Sequence, residues 1–342
     1  MDLKTDLAPR NPRELVLANP VMTASGTYSY GVEMGRITDM QRLGAVVTKG
    51  TTLHARRGNA MPRTAETAAG MLNSIGLNNP GFRDVLRQYA RTWEGWRVPV
   101  IVNIAGERIE EYAEMARLLE EARGVAAVEV NVSCPNVAVG GMQFGVDPGM
   151  AAAVTAAVRA NTTLPVIVKL SPNVTDITII AEACAAAGAD AISLINTVKG
   201  MRIDVRARRP MLGAGSGGLS GPAVKPIALW LVSQVAQAVA VPVIGLGGIA
   251  TAEDALEFFM VGASAVQVGT ASFVNPHAAT NVLDGIAGWL EAEGTTLAEI
   301  IGAALPGPMP LRAANTTSDT AMEADLLAMM RGEAANGSRP RP

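Results

Sequence analysis

Two lysines, three asparagines and a cysteine stand where short apolar runs of this sequence end. The endings read Ala24-Ser25-Gly26, Thr48-Lys49-Gly50, Asn103-Ile104-Ala105, Asn131-Val132-Ser133-Cys134, Lys169-Leu170-Ser171, Asn196-Thr197, Gly247-Gly248 and Gly269-Thr270. Polar groups at the end of one strand are commonplace. The same chemistry at most of eight endings suggests a shared site. Each asparagine amide offers donors and acceptors together. Two inward lysines beside three amides suit an anionic planar ligand. A buried ion pair or a Schiff-base lysine are the other readings of Lys49 and Lys169.

Cys134 precedes Pro135, which stops regular structure, so its thiol belongs to a loop. A free thiol has a pKa near ~8.5 and suits a base that takes a proton from carbon. Cys184 differs: it lies in an alanine-rich helical pattern and reads as a small buried hydrophobe. Gly247, Gly248, Gly269 and Thr270 offer backbone N–H groups that can approach an anion closely, which points to phosphate.

Other candidates carry less. Residues 213–218 match G-x-G-x-x-G but follow a charged stretch ending in Pro210, without the strand and helix a dinucleotide fingerprint requires. They read as a mobile glycine-rich loop beside the mouth. His54 lies among arginines and reads as surface, and His277 reads as a helix-start residue.

The elements that must position these groups are the apolar runs themselves. They span 20–24, 45–49, 98–104, 127–131, 165–170, 191–197, 242–246 and 265–269. Most are nearly continuous, as in strands buried on both faces of a parallel sheet. Helical patterns lie between them at 107–122, 176–187, 222–238 and 252–261. Alternating strands and helices predict βαβ units, and eight close into an α/β (β/α)8 TIM barrel with its site at the C-terminal ends of the strands. Residues 50–97 and 200–221 are expected as insertions over that mouth. Residues 1–312 are expected to form this one domain, and 313–342 a disordered tail.

Composition narrows the function further. The chain has 342 residues, 49% of them hydrophobic and 17% charged, with a net charge of −3. That is enough apolar material for a large core, and it gives no electrostatic case for nucleic acid or an anionic membrane. Two cysteines and two histidines exclude a disulfide framework and any four-thiolate metal site within the chain. Residues 1–14 hold no apolar signal core, and the uncharged stretch 226–252 is broken by prolines, glutamines and glycines. A cytoplasmic location without a membrane span is expected.

Taken together, Asn131 to Asn136 with Gly140-Gly141, Asn73 to Leu77, Lys169 to Pro172, Ile195 to Thr197 and Gly217 to Pro222 resemble dihydroorotate dehydrogenase, in its cysteine-dependent, NAD-linked class 1B catalytic subunit. The resemblance runs from about residue 15 to 304. It implies FMN as cofactor, matched at Ser25, Lys49, Gly50, Asn103, Asn131, Lys169, Ile195, Gly221, Gly247, Gly248, Gly269 and Thr270. Its pyrimidine-binding positions match Lys49, Asn73, Ser74, Ile75, Gly76, Leu77, Asn131, Asn136, Asn196 and Thr197. It implies oxidation of dihydroorotate to orotate in pyrimidine biosynthesis, with Cys134 as base at C5 and a hydride passing from C6 to the flavin. Lys169 would stabilise charge on the reduced ring, and Lys49 would pair with the substrate carboxylate.

The same resemblance implies a homodimer joined to a partner subunit that carries FAD and a [2Fe–2S] cluster and passes electrons to NAD. Two cysteines are too few for that cluster here. A dihydropyrimidine dehydrogenase-type flavin subunit acting on uracil or thymine, a Schiff-base aldolase barrel and a non-catalytic scaffold are the alternatives.

Overall fold

The computed structural model describes residues 2–132 and 144–305. Eight parallel strands form its centre: β1 (Val21–Thr23), β2 (Val46–Val47), β3 (Val100–Ile104), β4 (Ala127–Asn131), β5 (Val166–Lys169), β6 (Ala191–Leu194), β7 (Val243–Leu246) and β8 (Ala265–Val268). Neighbours in sequence pair in parallel around the ring, and β8 pairs with β1. A parallel bridge between Met22 and Ala45 closes the remaining gap. This is the (β/α)8 barrel, and each expected run contains one strand.

Helices fill the crossovers: α1 (Phe82–Glu94), α2 (Ile109–Glu120), α3 (Pro148–Arg159), α4 (Ile177–Ala186), α5 (Lys225–Ala238), α6 (Ala252–Met260), α7 (Ala271–Val274) and α8 (Ala278–Glu293). Their starts are chemically marked. Asp147 accepts from Met150 N at 2.7 Å, Asp176 caps α4, and Thr251 with Asp254 makes a capping box on α6. His277 takes the N-cap position of α8. No helix among the described residues is long and apolar enough to cross a membrane.

The strands sort their side chains by alternation. Val100, Val102, Val128, Val130, Val166 and Val168 face the helices in one large core. Val47, Ile101, Ala127, Ile167, Ala191 and Ala265 face the barrel axis and pack with Leu7, Leu15 and Leu17 from the N-terminal segment. That segment, with the antiparallel pair Thr5–Asp6 and Val16–Leu17, plugs the end of the barrel opposite the site.

The two expected insertions meet. Val198–Gly200, Gly217–Ser220, Gly70–Asn73 and Thr64–Thr67 form one four-stranded antiparallel sheet. The glycine-rich loop expected at 213–218 therefore ends in a sheet strand. It is followed by Gly221 and a short turn before α5, so residues 213–218 do not lie between a strand and a helix as a dinucleotide fingerprint requires. The alternation of Thr64–Asn73 is too short to stand out from the Arg- and Gly-rich sequence around it. Residues 306–342, which include the whole of the expected tail, lie outside the described residues.

Candidate active site

One step above the apolar floor of the barrel, the axis-facing positions turn polar. Two residues beyond Ile101, Ala127, Ile167, Ala191 and Ala265 stand Asn103, Glu129, Lys169, Ser193 and Gln267, all buried. Two beyond Val47 stands Lys49, half-buried. A period of two therefore puts both lysines on the axis side of their strands.

Glu129 is the hub of this layer and has no solvent exposure. Its Oε1 accepts from Asn103 Nδ2 at 2.6 Å and lies 3.7 Å from Lys169 Nζ. Its Oε2 accepts from Gln267 Nε2 at 2.7 Å and from Ser193 Oγ at 3.0 Å. Both amides thus spend their N–H groups on the carboxylate. Asn103 Oδ1 and Gln267 Oε1 are left buried without a hydrogen-bond partner among the described residues. Buried acceptors of this kind are costly unless a ligand or water completes them.

Around the mouth the expected residues link strand to strand. Asn196 Nδ2 donates to Asn131 Oδ1 at 3.3 Å, tying the end of β6 to that of β4. A Cβ on Gly50 would fall 2.9 Å from Asn103 Oδ1 and 3.3 Å from Leu77 Cδ2, so the 73–77 segment leans on the end of β2. Gly76 and Leu77 both take left-handed backbone, at φ +68° and +53°. Asn59 Nδ2 donates to Ser74 Oγ at 2.7 Å, and Asn59 N to Ile75 O at 3.1 Å. Asn73 reaches the carbonyl of Gly218 at 3.4 Å, and Thr197 lies against the same glycine.

Lys49 has its pKa pulled below the usual lysine value, first by burial and then by the charge of Arg63. Arg63 spends its guanidinium on the carbonyls of Asn59 and Arg57. Neither cation has an acidic partner among the described residues. Two uncompensated positive charges at one rim favour an anionic group there.

The glycine-rich side lies across the barrel. Gly221, Gly247 and Gly248 have φ of +94°, +128° and +87°. A Cβ on Gly248 would meet Lys225 N at 2.9 Å and Gly221 O at 3.0 Å; one on Gly247 would meet Ile195 at 3.2 Å. Thr270 Oγ1 donates to Ser220 Oγ at 2.8 Å, and Gly269 faces Ala24, the neighbour of Ser25. Lys225 Nζ bonds Asp254 and Glu257 and so ties α5 to α6 beside these glycines.

Ser133, Cys134, Asn136, Gly140 and Gly141 lie outside the described residues. Cys184 is fully buried, and that burial pushes its thiol up to about 11. His54 is exposed. Glu129, Ser193, Gln267 and Arg63 were not singled out by the sequence. Alternation was the available signal for the first three: Glu129 is two residues before Asn131 and shares its face.

Residues 11–290 match the family model described as dihydroorotate dehydrogenase. The chain is 55% identical over 292 residues to "Dihydroorotate dehydrogenase B (NAD(+)), catalytic subunit" of Desulforamulus reducens, covering 85% of this chain and 96% of that protein. The protein of the same description from Trichlorobacter lovleyi is 55% identical over 84% of this chain and 95% of its own length. That from Porphyromonas gingivalis is 52% identical over 85% and 95%. With its barrel, its polar axial layer and these similarities, the chain belongs to the dihydroorotate dehydrogenase family.

Proposed function

We propose that this chain is the catalytic subunit of an NAD-linked dihydroorotate dehydrogenase, oxidising (S)-dihydroorotate to orotate in cytoplasmic pyrimidine biosynthesis with FMN as its cofactor. The observation that carries the reading is the convergence of Lys169 and the amides of Asn103, Asn131 and Asn196 on one mouth, with Lys49 at its rim. The barrel domain is assigned to 1–312 and the tail to 313–342.

The residues fit FMN. Two buried acceptor oxygens without partners suit the imide end of a flavin, and Lys169 stands beside them. Gly221, Gly247 and Gly248 take positive φ beside Gly269 and Thr270, a run of glycine backbone whose N–H groups suit a phosphate. Ser25, Gly50 and Ile195 complete the set drawn from strand ends. When bound, FMN supplies the acceptor for the two electrons and proton that leave C6 as a hydride.

The chain's own groups do the rest. Cys134 takes the C5 proton as general base. Lys49 pairs with the substrate carboxylate. Asn73, Asn131, Asn136, Asn196 and Thr197 present donors and acceptors to the imide-bearing ring, with Ser74, Ile75, Gly76 and Leu77 closing over it. Lys169 opposes the negative charge that gathers at the pyrimidine end of the flavin. Electrons leave through a partner subunit carrying FAD and a [2Fe–2S] cluster, with this chain as a homodimer inside a heterotetramer.

Two cations at the rim favour dihydroorotate over uracil or thymine, which carry no carboxylate. A Schiff-base aldolase would use Lys169 and leave the amides of Asn103, Asn131 and Asn196 without a role. The test is an anaerobic absorbance spectrum before and after adding dihydroorotate. Flavin bands that bleach at once are expected, and Cys134→Ala should keep the flavin while slowing the bleaching by ~100-fold or more. A protein that binds no flavin after reconstitution with FMN, or bleaches only with dihydrouracil, sinks the reading.

A further inference from the structure

We infer that Glu129 is a positioning residue that balances the charge of Lys169 and orients the amides of Asn103 and Gln267 toward the flavin; the inference rests on the function proposed above. Four strands converge on this one carboxylate. Asn103 comes from β3, Lys169 from β5, Ser193 from β6 and Gln267 from β8.

The geometry divides the labour. Three neutral donors lie within hydrogen-bond reach of the two carboxylate oxygens. Lys169 Nζ, at 3.7 Å, is close enough for charge pairing and too far for a hydrogen bond. Its N–H groups form no hydrogen bond with other described residues and remain for a ligand. Glu129 therefore compensates the buried cation without consuming its donors. Because a carboxylate only accepts, it also fixes which way both amides point. Their N–H₂ groups turn in, and their carbonyl oxygens turn away as the unpartnered acceptors.

A buried charge needs its partner. With Lys169 removed, Glu129 would stand uncompensated at zero exposure and would take up a proton. With Glu129 made neutral, Lys169 would hold an unopposed charge and stabilise the reduced flavin more strongly. Glu129→Gln also brings an N–H₂ against donors that previously met oxygen, so one amide must reverse and lose its acceptor.

The test measures flavin midpoint potential and FMN dissociation constant by anaerobic dye titration of reconstituted protein. E129Q should favour reduction by about tenfold, or roughly 30 mV for a two-electron couple. It should also weaken FMN binding by about tenfold. In the Lys169→Met background the same E129Q change should move the potential by less than about twofold, since Glu129 is already neutral there. Glu129→Asp, which keeps the charge, should hold the potential close to the wild-type value. An E129Q potential within about threefold of wild type, or an equal shift in both backgrounds, overturns the inference even if thermal stability falls.

Infrared spectroscopy gives a second readout that does not depend on E129Q folding alone. K169M should show a buried protonated carboxyl band absent from wild type, and its absence overturns the inference. Wild-type protein that binds no FMN overturns instead the function on which it rests.

Discussion

Gly218 is packed so closely on Thr197 that a Cβ added to the glycine would fall 1.9 Å from the threonine hydroxyl. Gly218 belongs to the sheet formed by the two insertions, and Thr197 follows the end of β6. The contact is where that sheet is seated on the barrel mouth. Gly218→Ala must displace either the strand or Thr197. The expected cost is ~1–3 kcal/mol of stability, as for other overpacked positions. On the proposed assignment of Thr197 to the substrate, orotate binding should weaken about tenfold while FMN is retained. Unchanged orotate affinity by flavin absorbance titration would show that Thr197 is not held by this contact.

Lys49 supplies a pH prediction. Burial and the nearby Arg63 lower its pKa, so the protonated form, which the proposed function pairs with a carboxylate, is lost at lower pH than for an ordinary lysine. Orotate affinity should be full near neutrality and fall as pH rises through that lowered value. Arg63→Met removes the like charge, raises the Lys49 pKa and should carry the alkaline limb to higher pH. The check is the orotate dissociation constant from about pH 7 to 10.5. A limb that stays fixed, or moves down, contradicts the assignment.

Much of this architecture could be read from the chain alone, because buried parallel strands are written as dense apolar runs. Ala127–Asn131 coincides with β4 to the residue. The candidate site was legible where polar residues end such runs, as at Lys49, Asn103 and Lys169. Glu129 was not, because a charge inside an apolar run makes sense only once its partners on four other strands are known. The mouth sheet was equally hidden. Its strands Gly70–Asn73 and Gly217–Ser220 are far apart in sequence, and their pairing is a tertiary fact.

Glu120 ties α2 to the segment beyond α3 and to the N-terminal plug. Burial opposes its charge, but Thr163 N, the hydroxyls of Thr162 and Thr163, and Arg13 together bring its carboxyl down to about 2. Its folded pKa is depressed, so its stabilisation is present above the ordinary glutamate range and disappears as pH falls toward 2. After discounting for partial exposure, Glu120→Gln should cost about 1–2 kcal/mol at neutral pH. Urea melts at pH 7 and near pH 3 should show the variant and wild type converging in acid. A gap that persists or widens at low pH would assign the loss to packing.

Two left-handed glycines separate backbone strain from ligand contact. Gly26 has φ +94° with nothing within 4 Å of an added Cβ, whereas Gly248 at φ +87° would press that Cβ on Lys225 N and Gly221 O. Gly26→Ala should cost only the left-handed penalty, about 1–2 kcal/mol, and leave FMN affinity within about threefold. Gly248→Ala adds a collision with two backbone segments, and neither can move without shifting Gly221 or the start of α5. FMN binding should therefore fall by about 100-fold or more, a loss of roughly 3 kcal/mol. Adding free phosphate separates the two ends of the cofactor. Phosphate that competes with FMN on wild type but not on G248A places the loss at the phosphate end. Equal competition on both would move the phosphate site away from Gly248.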